Sequence, residues 1–195
     1  MRKIIEKILR DSLRVKEGFV RDNISGLILL AEKIVLAFTN DRKLMLCGNG
    51  GSAADAQHIA AEFVNRFELE RPPLPAIALT TDTSIITCIG NDYTFDDVFA
   101  KQVKAIGMDG DILLAISTSG NSPNVLAAAK AASVHGIYVV GLTGGDGGKL
   151  VSLADSSLIV NSNSTARIQE THILVGHIIC KLVDYILFQQ GIADE

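Results

Sequence analysis

The sequence is short of aromatic residues, of cysteine and of basic charge. Only 5% of its 195 residues are aromatic, against 48% hydrophobic residues overall. So aliphatic a chain reads as an α/β protein with one sizeable core, not as a disordered or all-β one. The three cysteines, Cys47, Cys88 and Cys180, are odd in number and widely spaced. They offer no disulfide framework and no C-x-x-C metal pattern, which points to a reducing cytoplasm. Net charge is -4 and the 18 basic residues are scattered, so there is no footprint for nucleic acid. The first forty residues also lack a long unbroken apolar run. The start "MRKIIEKILRDSLRVKEGF" alternates charge with Ile and Leu, unlike a signal peptide. "GLILLAEKIVLAF" is broken by Glu32 and Lys33 and is too short to span a bilayer. The expectation is a soluble cytoplasmic protein with neither nucleic-acid nor membrane partners.

What is present has two periods. Apolar residues Ile4, Ile5, Ile8, Leu9 and Leu13, then Ile24, Leu27, Ile28, Ala31, Ile34, Val35 and Phe38, recur at helical spacing. They predict two leading helices, over residues 2 to about 20 and 24–38. Their apolar faces are wider than one small sheet needs, so they are expected to pack against another subunit as well. From residue 43 the pattern changes. "KLMLC", "AIALT", "DILLAI", "IYVVGL" and "SLIV" are of strand length, and helix-compatible stretches at 52–67, 123–135 and 146–154 lie between them. This alternation predicts βαβ units, a doubly wound, mostly parallel five-stranded sheet and helices on both faces. A last, largely buried helix is expected over 165–189. No repeat, low-complexity tract or linker divides the chain, so residues 1–195 read as one domain, with the leading helices in 1–40 and the α/β core in 41–195. "RPPLP" at 71–75 reads as a rigid connection into the second strand.

In open parallel sheets ligands bind beyond the carboxyl ends of the strands, where strand order reverses. If the order is the flavodoxin-like 2-1-3-4-5, the loops after the first and third strands share one crevice. The third-strand loop, "STSGNSPN", carries no charge. Ser122 before Pro123 reads as an N-cap and first-turn proline of the helix that follows. A helix start offers unpaired N–H groups and the positive end of a dipole, so it binds anions without a lysine. Ser117, Thr118, Ser119 and Ser122 add hydroxyl donors, and Gly120 permits an unusual turn. A cap alone needs fewer hydroxyls, which makes phosphate the expected guest. No Gly-Lys-Ser/Thr follows, so this is not a Walker loop. In the first-strand loop, Asn49, Gly50 and Gly51 could bring backbone close to a ligand, though a plain tight turn explains "GNGG" nearly as well. Ser52 with Asp55 resembles a capping box with Asp in place of Glu.

The helix after that loop carries His58 and Glu62, four residues apart and on one face. Such a pair can share a metal or act as acid and base, or it can be an ordinary exposed helical pair. The alanines around it leave room beside it. The last helix supplies Gln169, His172 and His177. Gln169 and His177 lie about 12 Å apart along an ideal helix and roughly 80° around it. They reach one small ion only if Gln169 acts from the first turn or the two serve different subunits. His172 lies about 140° around from His177 and reads as a packing or solvent residue. His135, before Gly136, reads as a helix C-terminal feature.

Taken together, "CGNGGSAADAQHIAAEFVNRF", "GNDYTFDDVFAKQV", "ISTSGNSPNVLAA" and "TARIQETHILVGHIIC" resemble the sugar isomerase (SIS) domain family, and within it the sedoheptulose 7-phosphate isomerases. The resemblance spans essentially the whole chain. "STSGNS" marks only the superfamily, whereas "HIAAEF" with "QETHILVGH" is more specific. The resemblance implies an aldose–ketose isomerase that converts sedoheptulose 7-phosphate to D-glycero-D-manno-heptose 7-phosphate through an enediol. That step begins ADP-heptose synthesis for lipopolysaccharide core or other surface glycans. It implies Ser117, Thr118, Ser119 and Ser122 on the phosphate, and Asn49, Gly50, Gly51, Asn91, Asp92, Glu62 and Gln169 on the substrate. It also implies Glu62 and His177 as the acid–base pair, and one zinc per subunit on His58, Glu62, Gln169 and His177. A homotetramer with sites at subunit interfaces is part of the same implication. The alternatives are a non-catalytic relative that binds the replication initiator protein, and an isomerase of another sugar phosphate.

Overall fold

The computed structural model describes residues 1–189. It opens with one helix, α1 (Arg2–Thr39), where the sequence pattern predicted two. The residues between the two predicted helices, Asp22 and Asn23 among them, stay helical. Asn23 Nδ2 donates to the Phe19 carbonyl one turn back at 2.8 Å. The C-terminal half buries Leu27, Leu30, Ala31, Ile34, Ala37 and Phe38. The first third leaves Ile4, Ile5, Ile8, Leu9 and Leu13 exposed.

The strands are β1 (Leu44–Cys47), β2 (Ala76–Ala78), β3 (Ile112–Ser117), β4 (Tyr138–Gly144) and β5 (Ser156–Val160). They form one five-stranded sheet in the order β2-β1-β3-β4-β5, with every pairing parallel. Strand order therefore reverses between β1 and β3, where the sequence argument required it. Alternate side chains feed two cores. Leu44, Leu46, Ile112, Leu114, Ile116, Val140 and Leu142 face the layer of α1, α2 (Gly51–Val64) and α6 (Thr165–Phe188). Met45, Cys47, Leu113, Ala115 and Val139 face α3 (Thr83–Asp92), α4 (Val98–Ile106) and α5 (Pro123–Val134). Burial on both faces is why the strands read as unbroken apolar runs.

The helices between β2 and β3 were not legible in the sequence pattern. In α3, Asp82 caps the N-terminus, its Oδ1 accepting from the Ile85 N–H at 2.9 Å. The helix predicted at 146–154 is a short 3₁₀ turn, Gly148–Ser152, because Gly145, Gly147 and Gly148 all take positive φ. The predicted capping box fails as well. Helix α2 begins at Gly51 with Gly50 as its N-cap residue and no side-chain cap, so Ser52 lies inside the helix and is buried. By length and composition α6 could cross a membrane. It instead runs through the core, burying Ile168, Val175, Ile179, Cys180 and Val183.

Candidate active site

The loops leaving β1 and β3 meet at the carboxyl end of the sheet. Asn49 and Asn124 join them through a reciprocal pair of amide hydrogen bonds, each 2.8 Å. Asn124 is buried and its Oδ1 also accepts from the Val125 N–H, so the start of α5 is pinned to the first loop. The hydroxyl loop departs from the expected cap. Ser122 stands at the N-cap position of α5 but makes no side-chain cap bond. Its Oγ lies 3.0 Å from Ser117 Oγ instead. Gly120 has φ +62°, and a Cβ there would run into the Gly147 carbonyl of the β4–β5 loop. That loop locks the hydroxyl loop from behind. Leu150 N donates to Gly120 O at 3.0 Å and Lys149 N to Asn121 Oδ1 at 3.2 Å. A cleft of about 230 Å³ opens beside it, lined by Thr118, Ser119, Asp146, Ser162, Asn163 and Thr165 among others.

The second group of side chains lies where α2 crosses α6. Gly176 allows the crossing, since a Cβ on it would stand 2.6 Å from Ile59 Cγ1 and Cδ1. His58 Nε2 lies 3.0 Å from His177 Nε2 and 3.3 Å from Glu62 Oε1. Phe67 stacks on His177 at 5.5 Å between ring centres, at an interplanar angle of 23°. His58 and Glu62 share one face of α2 as their spacing predicted, and His177 meets them from α6 as the family resemblance implied. Gln169 does not join them in this chain. Its amide lies over the Gly51 backbone, where a Cβ would collide with Nε2, so it belongs to the first loop. Among the described residues, no three His, Cys, Asp or Glu side chains close around one metal-sized point. Asn91 and Asp92 end α3, both exposed, with Asn91 Nδ2 donating to Asp92 Oδ1 at 2.8 Å. Among the described contacts they bond to none of the other candidate residues.

Further titratable residues stand near the site. Asp55, read as a cap partner, keeps Oδ2 buried without a hydrogen-bond partner. Burial pushes its carboxyl up to about 6, against the opposing pull of His58. His172 is fully buried, with Nε2 3.0 Å from the Thr143 carbonyl, and burial holds its imidazole down at about 4. It is a packing residue on the side of α6 away from His177. The Cys180 thiol is pushed up to about 12, first by burial and then by Glu62 and Asp184, so it is no nucleophile. His135 stands at the C-cap of α5 as predicted. Arg71 and Asp184 form a buried pair beneath α2.

A parallel sheet with an uncharged hydroxyl loop at its reversal point and a His/Glu cluster beside it defines a class, and the family models agree. The SIS domain matches residues 9–144, and the chain belongs to that family. Within it, the curated relatives and solved structures of high identity are phosphoheptose isomerases. That of Nitratidesulfovibrio vulgaris (strain DSM 19637 / Miyazaki F) is 52% identical over 192 residues, covering 98% of this chain and 92% of the relative. The structure of the phosphoheptose isomerase from Neisseria gonorrhoeae superposes with a TM-score of 0.89 at 46% identity, covering 94% of this chain and 98% of that one. The enzyme from Francisella tularensis gives 0.90 at 42%, covering 93% and 97%.

Proposed function

We propose that this chain is an aldose–ketose isomerase that converts sedoheptulose 7-phosphate to D-glycero-D-manno-heptose 7-phosphate. The observation that carries the reading is the convergence of His58 and Glu62 from α2 with His177 from α6, in a chain half identical to phosphoheptose isomerases.

The hydroxyls of Ser117, Thr118, Ser119 and Ser122, with the start of α5, hold the phosphate. Asn49, Gly50, Gly51, Asn91, Asp92 and Gln169 contact the sugar. Gripping the far end of a flexible sugar lets remote binding energy hold the reacting end in place. Glu62 takes a proton from C1 while the C2 carbonyl oxygen gains one from His177, giving the 1,2-enediol. The O1 proton then leaves as a proton returns to C2, and C1 becomes the aldehyde. Atoms and charge balance without an external oxidant.

The donor chemistry suits zinc. Two imidazole nitrogens face each other at 3.0 Å with a carboxylate oxygen 3.3 Å from one of them. His58, Glu62, His177 and Gln169 would hold the ion, which would supply a Lewis acid for the sugar carbonyl. Bound to the ion, the Glu62 carboxylate would be a weaker base, because the metal would stabilise its anion. Metal analysis of the purified protein, before and after chelation, tests this.

A homotetramer with shared sites accounts for the exposed row Ile4, Ile5, Ile8, Leu9 and Leu13 on α1, and for the position of Gln169 away from His177. Light scattering after size exclusion measures it. A cytoplasmic setting fits the free cysteines, and the product would enter ADP-heptose synthesis for lipopolysaccharide core or another surface glycan. The direct test of activity is to incubate the protein with sedoheptulose 7-phosphate and resolve aldose from ketose phosphate.

A further inference from the structure

The buried ion pair under α2 touches neither the hydroxyl loop nor the His58–His177 contact, yet it reaches both helices that carry the latter. Arg71 lies in the connection after α2, with its side chain 1% exposed. Its Nε donates to Asp184 Oδ1 at 2.8 Å. Its Nη2 donates to the backbone carbonyl of Glu62 at 2.9 Å, and its Nη1 to the Phe63 carbonyl at 2.7 Å. Longer bonds from Nη1 reach the Asn65 and Pro72 carbonyls at 3.3 and 3.1 Å. The guanidinium thus holds the carbonyls that the last turn of a helix leaves without partners, at the negative end of its dipole. One of those carbonyls belongs to Glu62 itself.

Asp184 ties the same guanidinium to α6. It stands seven residues beyond His177, two turns further and only about 20° around, so both lie on one stripe of α6. The resulting chain of contacts runs from Glu62 through Arg71 and Asp184 to the helix that presents His177. A planar five-donor group suits this task, because its fork fixes direction as well as charge. Stability alone is a weak explanation. A buried ion pair can be replaced by apolar residues of similar volume with little or no loss of stability, and Asp184 Oδ2 is left buried without a partner.

We propose that Arg71 and Asp184 are positioning residues that fix the Glu62 carboxylate against the His177 imidazole. The proposal rests on the isomerase reading for its kinetic test but not for its spectroscopic one. The variants are Arg71→Lys, Asp184→Asn and the apolar pair Arg71→Met with Asp184→Leu, which keeps the volume and removes both charges. Each is checked for cooperative melting, then for kcat and KM with sedoheptulose 7-phosphate. Imidazole ¹⁵N spectra of His58 and His177 are recorded without substrate, and the buried His172 on the same helix serves as internal control.

The expected result is a fall in kcat of about tenfold to a hundredfold with KM changed by less than about threefold, because the phosphate grip is untouched. The His58 and His177 signals should move while that of His172 stays. If the single variants fail to fold, the apolar pair decides. Wild-type kcat and unmoved His58 and His177 signals in a folded variant would overturn the proposal, as would a rise in KM alone. If the wild-type protein does not turn over the sugar at all, the isomerase reading fails, and the imidazole spectra still decide the positioning.

Discussion

His58 and His177 present their Nε2 atoms to each other at 3.0 Å across the contact between α2 and α6. Two imidazole nitrogens at that distance either share a proton or share a cation, and Glu62 stands 3.3 Å from one of them. On the proposed function, the α2–α6 crossing is where the proton transfers would take place, and the hydroxyl loop would hold the substrate beside it.

If Glu62 and His177 are the acid–base pair, removing either should cut turnover sharply without unfolding the chain. Glu62→Gln and His177→Gln are each expected to lower kcat by about 10²- to 10⁴-fold. Thermal melts should still show a single cooperative transition, because neither side chain belongs to the core.

The helix crossing should be intolerant of volume. In Gly176→Ala the added Cβ would press on Ile59 at 2.6 Å, so the helices must separate. A destabilisation of roughly 1–3 kcal/mol is expected by urea unfolding. Activity should fall further than stability explains, since the same shift parts His58 from His177.

The hydroxyl loop should fail differently. Gly120→Ala meets both a positive φ and the Gly147 carbonyl. The loop must move, and with it Ser119 and Ser122. The expected kinetic signature is a raised KM for the sugar phosphate with a smaller change in kcat, together with weaker inhibition by inorganic phosphate.

His172 should make stability depend on acid. Its folded pKa is lowered by burial to about 4, below the ordinary value of 6.5, so the unfolded chain binds the extra proton first. Stability from the neutral buried ring is intact above about pH 6.5. It declines as pH falls towards 4, by roughly 3 kcal/mol across that window. The variant His172→Gln should show a flatter stability profile between pH 6.5 and 4 in denaturant titrations, although its stability at pH 7 should be lower.

The sequence displayed most of this fold because its signals were local. The strands β1, β3 and β4 are buried on both faces and stood out as apolar runs. The hydroxyl loop and the His58–Glu62 spacing lie within single segments. What stayed hidden depends on partners distant in the chain. α1 runs on through Asn23, whose side chain bonds back to the Phe19 carbonyl. The reciprocal Asn49–Asn124 pair spans two loops. Arg71 and Asp184 lie 113 residues apart in sequence, and no local pattern pairs them. The run "GGDGGKLVS" has helical composition at its end, but its positive-φ glycines turn it into a brace for the hydroxyl loop instead.

The central claim is tested most directly by sedoheptulose 7-phosphate turnover in the purified wild-type protein alongside Glu62→Gln and His177→Gln. The account expects the wild type to form the heptose 7-phosphate aldose and both folded variants to form almost none. A folded wild type that leaves the ketose unchanged, or variants that match its rate, would contradict it.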